Sequence, residues 1–283
     1  MNLPALHPVQ YEELLRQALR EDLGGAGDLT TDAIVPAGLP AEALVVARQA
    51  GRVAGLEPAL HVFRLLDAGV TWELRCPDGQ DAPAGGTLAH LRGPARALLT
   101  GERTALNLLG RLCGIATATR DVVARLQGLP TRVTCTRKTT PGLRGLEKYA
   151  VRAGGGSNHR FGLDDGVLIK DNHRLLAGGV REAVARCRAA AGHMVRIEVE
   201  VDTLPELDEA LACGVDAALL DNMPLDELRQ AVARCRGRAL SEASGGLRPD
   251  NVRAVAETGV DLVSLGFLTH SAPALDVALD VTL

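Results

Sequence analysis

The second half of the chain repeats a strand–helix unit, and that repeat restricts the fold more than any other feature. Residues 195–202 (VRIEVEVD) alternate with period two, so Val195, Ile197, Val199 and Val201 fall on one face and Arg196, Glu198, Glu200 and Asp202 on the other. A helix over 203–213 follows, announced by Thr203 and Glu206 at capping-box spacing with Pro205 in the first turn, and closed by Gly214. The pattern then predicts strands at 216–221, 238–244 and 261–267, with helices at 225–235 and 249–257 between them. Strand starts recur about every 21 to 23 residues, the length of a compact βα unit. Two earlier strands at 131–136 and 166–170 and a helix at 179–191 extend the array upstream. No G-x-G-x-x-G follows any strand, so a barrel, complete or partial, is favoured over an open doubly wound sheet.

The N-terminal part has another texture. A helix at 11–23 leads into a loop rich in Gly and Asp at 24–32. Then come β-like runs at 44–48, 70–75 and 87–91 around a helix at 58–66. This reads as a small α+β layer, followed by a long helical stretch from 95 to about 127. Two domains are expected.

Composition narrows the function classes. A hydrophobic content of 46 % over 283 residues is ample for a full core. The N-terminus has no basic region followed by an apolar one, and no window approaches 18 uninterrupted apolar residues, so a cytoplasmic protein without a membrane partner is expected. The six cysteines form no C-x-x-C pair, which argues against a zinc ribbon or a disulfide framework, and all but one are expected to fill the core. Aromatics at 2 % provide no stacking platform, and a net charge of -4 offers no duplex-binding surface; nucleic acid is not an expected partner.

Against that acidic balance, the stretch 136–173 (TRKTTPGLRGLEKYAVRAGGGSNHRFGLDDGVLIKDNH) concentrates cations and histidines among glycines. Arg144, Lys148 and Arg152 stand at helical i, i+4 spacing and are expected to be mostly exposed. Lys170 ends the apolar run 167–169, where a lysine is costly unless it meets an anion.

Barrel chemistry sits at the carboxyl ends of strands. Reading those ends gives Arg137, Lys138, Lys170, Glu200, Asp221, Ser244, Gly245, Gly246 and Gly266. Glu200 and Asp221 could hold a hard divalent cation or a ribose diol; alternatively Glu200 pairs with a barrel lysine. Ser244-Gly245-Gly246 before a helix, with Gly266 on the next strand, suits a phosphate. Arg137, Arg160 and a third arginine could clamp a dicarboxylate, with Lys138 and His159 adding charge.

Together these residues resemble the quinolinate phosphoribosyltransferase family. The likeness runs through EDLGGAGDLTTD, GERTALNLLGRLCGIAT (101–117), TRKTTPGLRGLEKYAVRAGGGSNHR, IKDNH, EVEVD, LLDN, SGGL and TGVD…LGFLTHSAPALDVALD. It implies an α/β fold: an incomplete, seven-stranded α/β barrel at 113–269, with an N-terminal open-faced α/β sandwich at 1–112 that 270–283 rejoins. It implies transfer of phosphoribosyl from phosphoribosyl pyrophosphate to quinolinate, giving nicotinate mononucleotide, pyrophosphate and CO₂ in NAD biosynthesis, with Mg²⁺ as cofactor. Arg103, Thr136, Arg137, Lys138, His159 and Arg160 take the quinolinate side by that likeness. Lys170, Glu200 and Asp221 take the phosphoribosyl and metal side, Glu200 and Asp221 as metal ligands. Lys138, Lys170, Glu200 and Asp221 form the catalytic set, and Ser244, Gly245, Gly246 and Gly266 the phosphate cradle. A homodimer with the active site shared between subunits is also implied. The family commonly reads D-T-R-K-T where this chain has Cys135, so an acidic orienting group is missing there unless a neighbour such as Glu198 supplies it. A molybdenum-transport-associated paralogue of the same fold and a Schiff-base aldolase built on Lys170 are the rival readings.

Overall fold

The computed structural model describes residues 3–282; Met1, Asn2 and Leu283, at the outer bounds of the 1–112 and 270–283 segments, lie outside the described residues. The strands are β1 (Pro40–Ala47), β2 (Gly51–Arg52), β3 (Thr71–Leu74), β4 (Asp81–Ala82), β5 (Thr87–Pro94), β6 (Arg132–Thr134), β7 (Val167–Ile169), β8 (Ile197–Val201), β9 (Ala217–Asp221), β10 (Leu240–Ser244), β11 (Leu262–Ser264) and β12 (Val277–Thr282). They belong to two compact units.

The first unit comprises Met1–Arg120, Thr139–Gly155 and Thr269–Leu283. Its four-stranded sheet has the order β12-β1-β5-β3, all antiparallel. In β1, Ala41, Ala43, Val45 and Ala47 are buried and the residues between them are not, the alternation of a sheet with one face on a core. Leu56, Leu60 and Phe63 of the helix Leu56–Leu66 are buried at helical spacing. The stretch 24–32, expected as loop, ends in a helix Leu29–Ile34, because Asp28 caps it by accepting from Thr31 N at 2.9 Å. The helix Arg144–Ala153, inside the stretch 113–269, also belongs to this unit. Lys148 on it is buried at 2 % exposure, which corrects the expectation of an exposed basic face; Arg152 is exposed. Its neighbour Glu147, at 0 % exposure, accepts from Arg111 and from Thr140, so this helix turns charge inward where partners await it.

The second unit comprises Asp121–Lys138 and Gly156–Leu268. Its sheet is parallel with the order β6-β11-β10-β9-β8-β7. Six strands stand where seven were expected: at the seventh position Ser157 makes only an isolated parallel bridge to Thr134. Helices Val180–Ala190, Leu204–Ala212, Leu225–Cys235 and Val252–Ala256 alternate with the strands. Thr203 caps the second of these by accepting from Glu206 N. The strand expected to run through 267 stops at Ser264, and Phe267–His270 is helical instead.

A Gly-Val-Asp triplet recurs before β9 and β11 and does the same work twice. Asp216 Oδ2 accepts from Ile197 N at 2.8 Å, and Asp261 Oδ2 accepts from Ser241 N at 2.9 Å and Ser241 Oγ at 2.6 Å. Each aspartate thus ties the amino end of its strand to the preceding neighbour and helps fix register. Four cysteines (Cys76, Cys113, Cys135 and Cys235) are buried; Cys187 and Cys213 are partly exposed. Among the described residues, no helix is long and apolar enough to cross a membrane.

Candidate functional site

Parallel pairing fixes which side chains share a face of the second unit's sheet. Glu200 pairs with Leu219, Asp221 with Ser244, Glu242 with Leu219 on one side and Leu262 on the other, and Glu198 with Ala217. Paired residues point to the same side, so Glu198, Glu200, Asp221, Glu242 and Ser244 all project from one face. Glu200, Asp221 and Ser244 form its layer nearest the carboxyl ends, and Glu198 and Glu242 lie two residues deeper.

Lys170 follows β7 and caps the helix Asp171–Ala177, its backbone N donating to His173 Nδ1 at 2.9 Å. Its ammonium meets the Glu200 carboxylate, which supplies the anion that a lysine at this strand end needs. Asp221 Oδ2 accepts from Asn222 Nδ2 at 2.8 Å. Among the described residues, no third His, Cys, Asp or Glu converges with Glu200 and Asp221 as a ligand set. Two hard oxygen donors suit Mg²⁺, which commonly takes one or two carboxylates and completes its shell with waters and substrate phosphates.

The turn after β10 depends on glycine. Gly245 and Gly246 have φ of +90° and +59°, and a Cβ at Gly245 would overlap the Asn222 amide. Asn222 itself takes φ +52°, with its N donating to Ser244 O at 2.9 Å. Asn251 Nδ2 donates to Gly246 O at 3.1 Å, closing the turn from the other side. The sequence offered no direct sign of Asn222 or Asn251; the Asp-Asn pair at a strand end was the available hint.

Arg137 and Arg160 come together from the segments on either side of the Thr134–Ser157 bridge. Burial lowers the Arg160 pKa, and the nearby Arg137 charge lowers it further, with Asp165 and Glu198 acting in the opposite sense. Arg160 also donates to Gly166 O at 2.9 Å, which fixes its side chain. Two neighbouring, half-buried guanidiniums repel each other, and a multiply charged anion between them relieves that repulsion. Lys138 is exposed and its N donates to Thr136 Oγ1 at 3.1 Å. Cys135 is fully buried with its thiol 3.4 Å from Asn158 Oδ1.

His159 is turned inward. Its Nε2 lies 3.1 Å from Glu198 Oε2 and 3.6 Å from Glu242 Oε1, and its Nδ1 accepts from Arg160 N at 2.7 Å. Burial first, and Glu198 second, push the Glu242 pKa up, while His159 pulls it down. Glu242 was missed by sequence reasoning; its signal was a lone acid within the short strand LSEAS. Arg103 lies in the first unit, on the helix Ala95–Arg125, and lines a cleft of about 360 Å³ with Asp22, Asn107 and Arg111.

A family model described as quinolinate phosphoribosyl transferase, C-terminal domain, matches residues 115–280, and the corresponding N-terminal domain model matches 28–113. The chain belongs to the quinolinate phosphoribosyltransferase family. It is a phosphoribosyltransferase that converts quinolinate to nicotinate mononucleotide in NAD biosynthesis. It is 48 % identical to the probable nicotinate-nucleotide pyrophosphorylase (carboxylating) of Bacillus subtilis, over 98 % of this chain and 96 % of that one. The nicotinate-nucleotide pyrophosphorylase (carboxylating) of Homo sapiens is 40 % identical over 97 % of this chain and 92 % of its own length. A crystal structure of NadC from Streptococcus pyogenes superposes with a TM-score of 0.95 at 42 % identity, covering 99 % of both chains.

Gly245→Ala should destabilise the enzyme by about 1–2 kcal/mol through its backbone conformation alone, before Asn222 is displaced. Thermal denaturation checks this: a melting temperature equal to the parent's would mean that the turn relaxes freely.

Proposed function

We propose that the two carboxylates of quinolinate bind at Arg137, Lys138 and Arg160, with Thr136 at the rim of that pocket. Lys170, Glu200 and Asp221 then serve phosphoribosyl pyrophosphate, and Ser244, Gly245, Gly246 and Gly266 receive its phosphates. The pairing of Arg137 with Arg160 in half-buried surroundings carries this reading, since it selects a small dianion over a neutral ring. His159 contributes by accepting the Arg160 N–H, which sets the backbone from which that guanidinium projects.

The sheet and its loops mainly position the reactants. The quinolinate ring nitrogen attacks C1 of the ribose while the C1–O bond to pyrophosphate breaks, and positive charge develops on the sugar. Lys170 places an ammonium near the departing phosphates, and the turn at Gly245 and Gly246 offers backbone N–H groups to the phosphate that stays. Mg²⁺ held by Glu200 and Asp221 would neutralise the pyrophosphate charge. The ribosylated ring is a pyridinium that accepts the electron pair released when the C2–carboxylate bond breaks. CO₂ departs and C2 takes a proton from solvent, so no dedicated base is required. Release of CO₂ from carboxyl-labelled quinolinate should depend strictly on added phosphoribosyl pyrophosphate; release without it would overturn this order of events.

Arg103 completes the carboxylate clamp from the partner subunit of a homodimer, as symmetric dimers with shared sites permit. Mixing inactive Arg103→Ala with inactive Glu200→Ala under subunit exchange should restore about a quarter of parental activity per total site, because half the dimers are mixed and each of those has one intact site. No recovery after proven exchange would place Arg103 in its own subunit's structure instead.

A further inference from the structure

We propose that His159, Glu198 and Glu242 form a binding site for a divalent transition metal of the zinc and cobalt class, buried within the second unit and separate from the Glu200 and Asp221 pair. Three observations carry it. The imidazole and the two carboxylates place one ligand atom each within 4.8 Å of one another. Nε2 to carboxylate separations of 3.1 and 3.6 Å bracket the ligand–ligand spacing of about 3.3 Å that tetrahedral zinc imposes with bonds of about 2.0–2.2 Å.

The carboxylates are also under-satisfied. Glu242 is 2 % exposed and Glu198 9 %, and Oε1 of each is buried without a hydrogen-bond partner. His159 faces both carboxylates and the Ser264 hydroxyl bonds the Glu242 carboxyl, yet one oxygen of each stays without a hydrogen bond, which native interiors rarely allow. Two negative charges and one imidazole match a dication and leave a fourth position for water. Mixed nitrogen and oxygen donors favour zinc or cobalt over the all-oxygen shell that magnesium prefers.

The third observation is access. A cavity of about 390 Å³ reaches the three ligands and is lined by Arg132, Ile197, Ala217 and Leu262, residues at the amino ends of β6, β8, β9 and β11. Arg196, exposed like Arg132, and Arg160 of the proposed quinolinate clamp line it too, while Asp165 is engaged with the N–H groups of Phe161 and Gly162. The route therefore starts at the opposite end of the strands from Glu200 and Asp221. Bound there, the ion would tie β8 and β10 to the segment that carries His159 and Arg160.

Co²⁺ is the probe. Metal-stripped enzyme given one equivalent of Co²⁺ should retain it through gel filtration and show the intense visible d–d bands of four- or five-coordinate cobalt. Glu242→Gln and Glu198→Gln, both close in shape to the parent, should each weaken retention by at least about tenfold, and Asp221→Asn should not. Circular dichroism establishes that each variant is folded. Should either fail to fold, X-ray absorption at the cobalt edge of the parent decides: an imidazole in the shell supports the site, and an all-oxygen shell overturns it. Absence of the bands in the parent, which would mean that protons or water satisfy the glutamates, also overturns it. So would bands that survive both glutamine substitutions or vanish only in Asp221→Asn.

Discussion

Arg160→Ala is expected to weaken quinolinate binding by about 30-fold to several thousandfold, the roughly 2–5 kcal/mol lost when one partner of a desolvated charge pair is truncated. Two features make the effect large. Arg160 is partly buried, so a contact with a substrate carboxylate there would be poorly screened, and its side chain is held in place by Gly166 O. Arg137→Ala should act in the same direction, whereas Lys170→Ala should change quinolinate binding less, because that ammonium faces Glu200. Equilibrium titration with quinolinate measures each. If both arginine variants bound quinolinate like the parent while losing affinity for phosphoribosyl pyrophosphate, the division of the site would be reversed.

The paired substitution Glu200→Gln and Asp221→Asn is expected to abolish turnover, by about a thousandfold or more, and to remove any response to Mg²⁺. Amides keep the shape of the carboxylates but lose the charge that a hard cation requires. Steady-state rates with and without added Mg²⁺ provide the measurement. Full activity of the parent in excess chelator would remove the metal from the mechanism altogether.

Much of the second unit could be read from the chain because local and global signals agree there. Period-two alternation in 195–202, the Thr203 cap and the spacing of successive strands all point to one parallel array. Residues at strand ends were legible for the same reason: once a strand is located, its end is too, which brought Lys170, Glu200, Asp221 and Ser244 to one end of the sheet. What escaped depends on through-space partners. Lys148 looks like a solvated lysine by helical spacing, and its burial comes from packing that spacing does not encode. Glu242 is two residues from Ser244 in a strand too short to display a pattern, so nothing local separates a buried acid from an exposed one. Asn222 holds a left-handed conformation that a sequence permits but does not announce.

The ladder between β1 and β12 bears on how the chain matures. Leu44 pairs with Asp280, so β1 emerges from the ribosome about 230 residues before the strand that covers one of its edges. All but a short stretch of the second unit is a continuous run, Gly156–Leu268, and is synthesised in that interval. The parallel array therefore has the opportunity to form first, while the antiparallel sheet waits with an unpaired row of backbone N–H and C=O groups at β1. Closing that distant contact is the slow kind of step, and until it happens the nascent protein carries a strand edge that invites association with other chains.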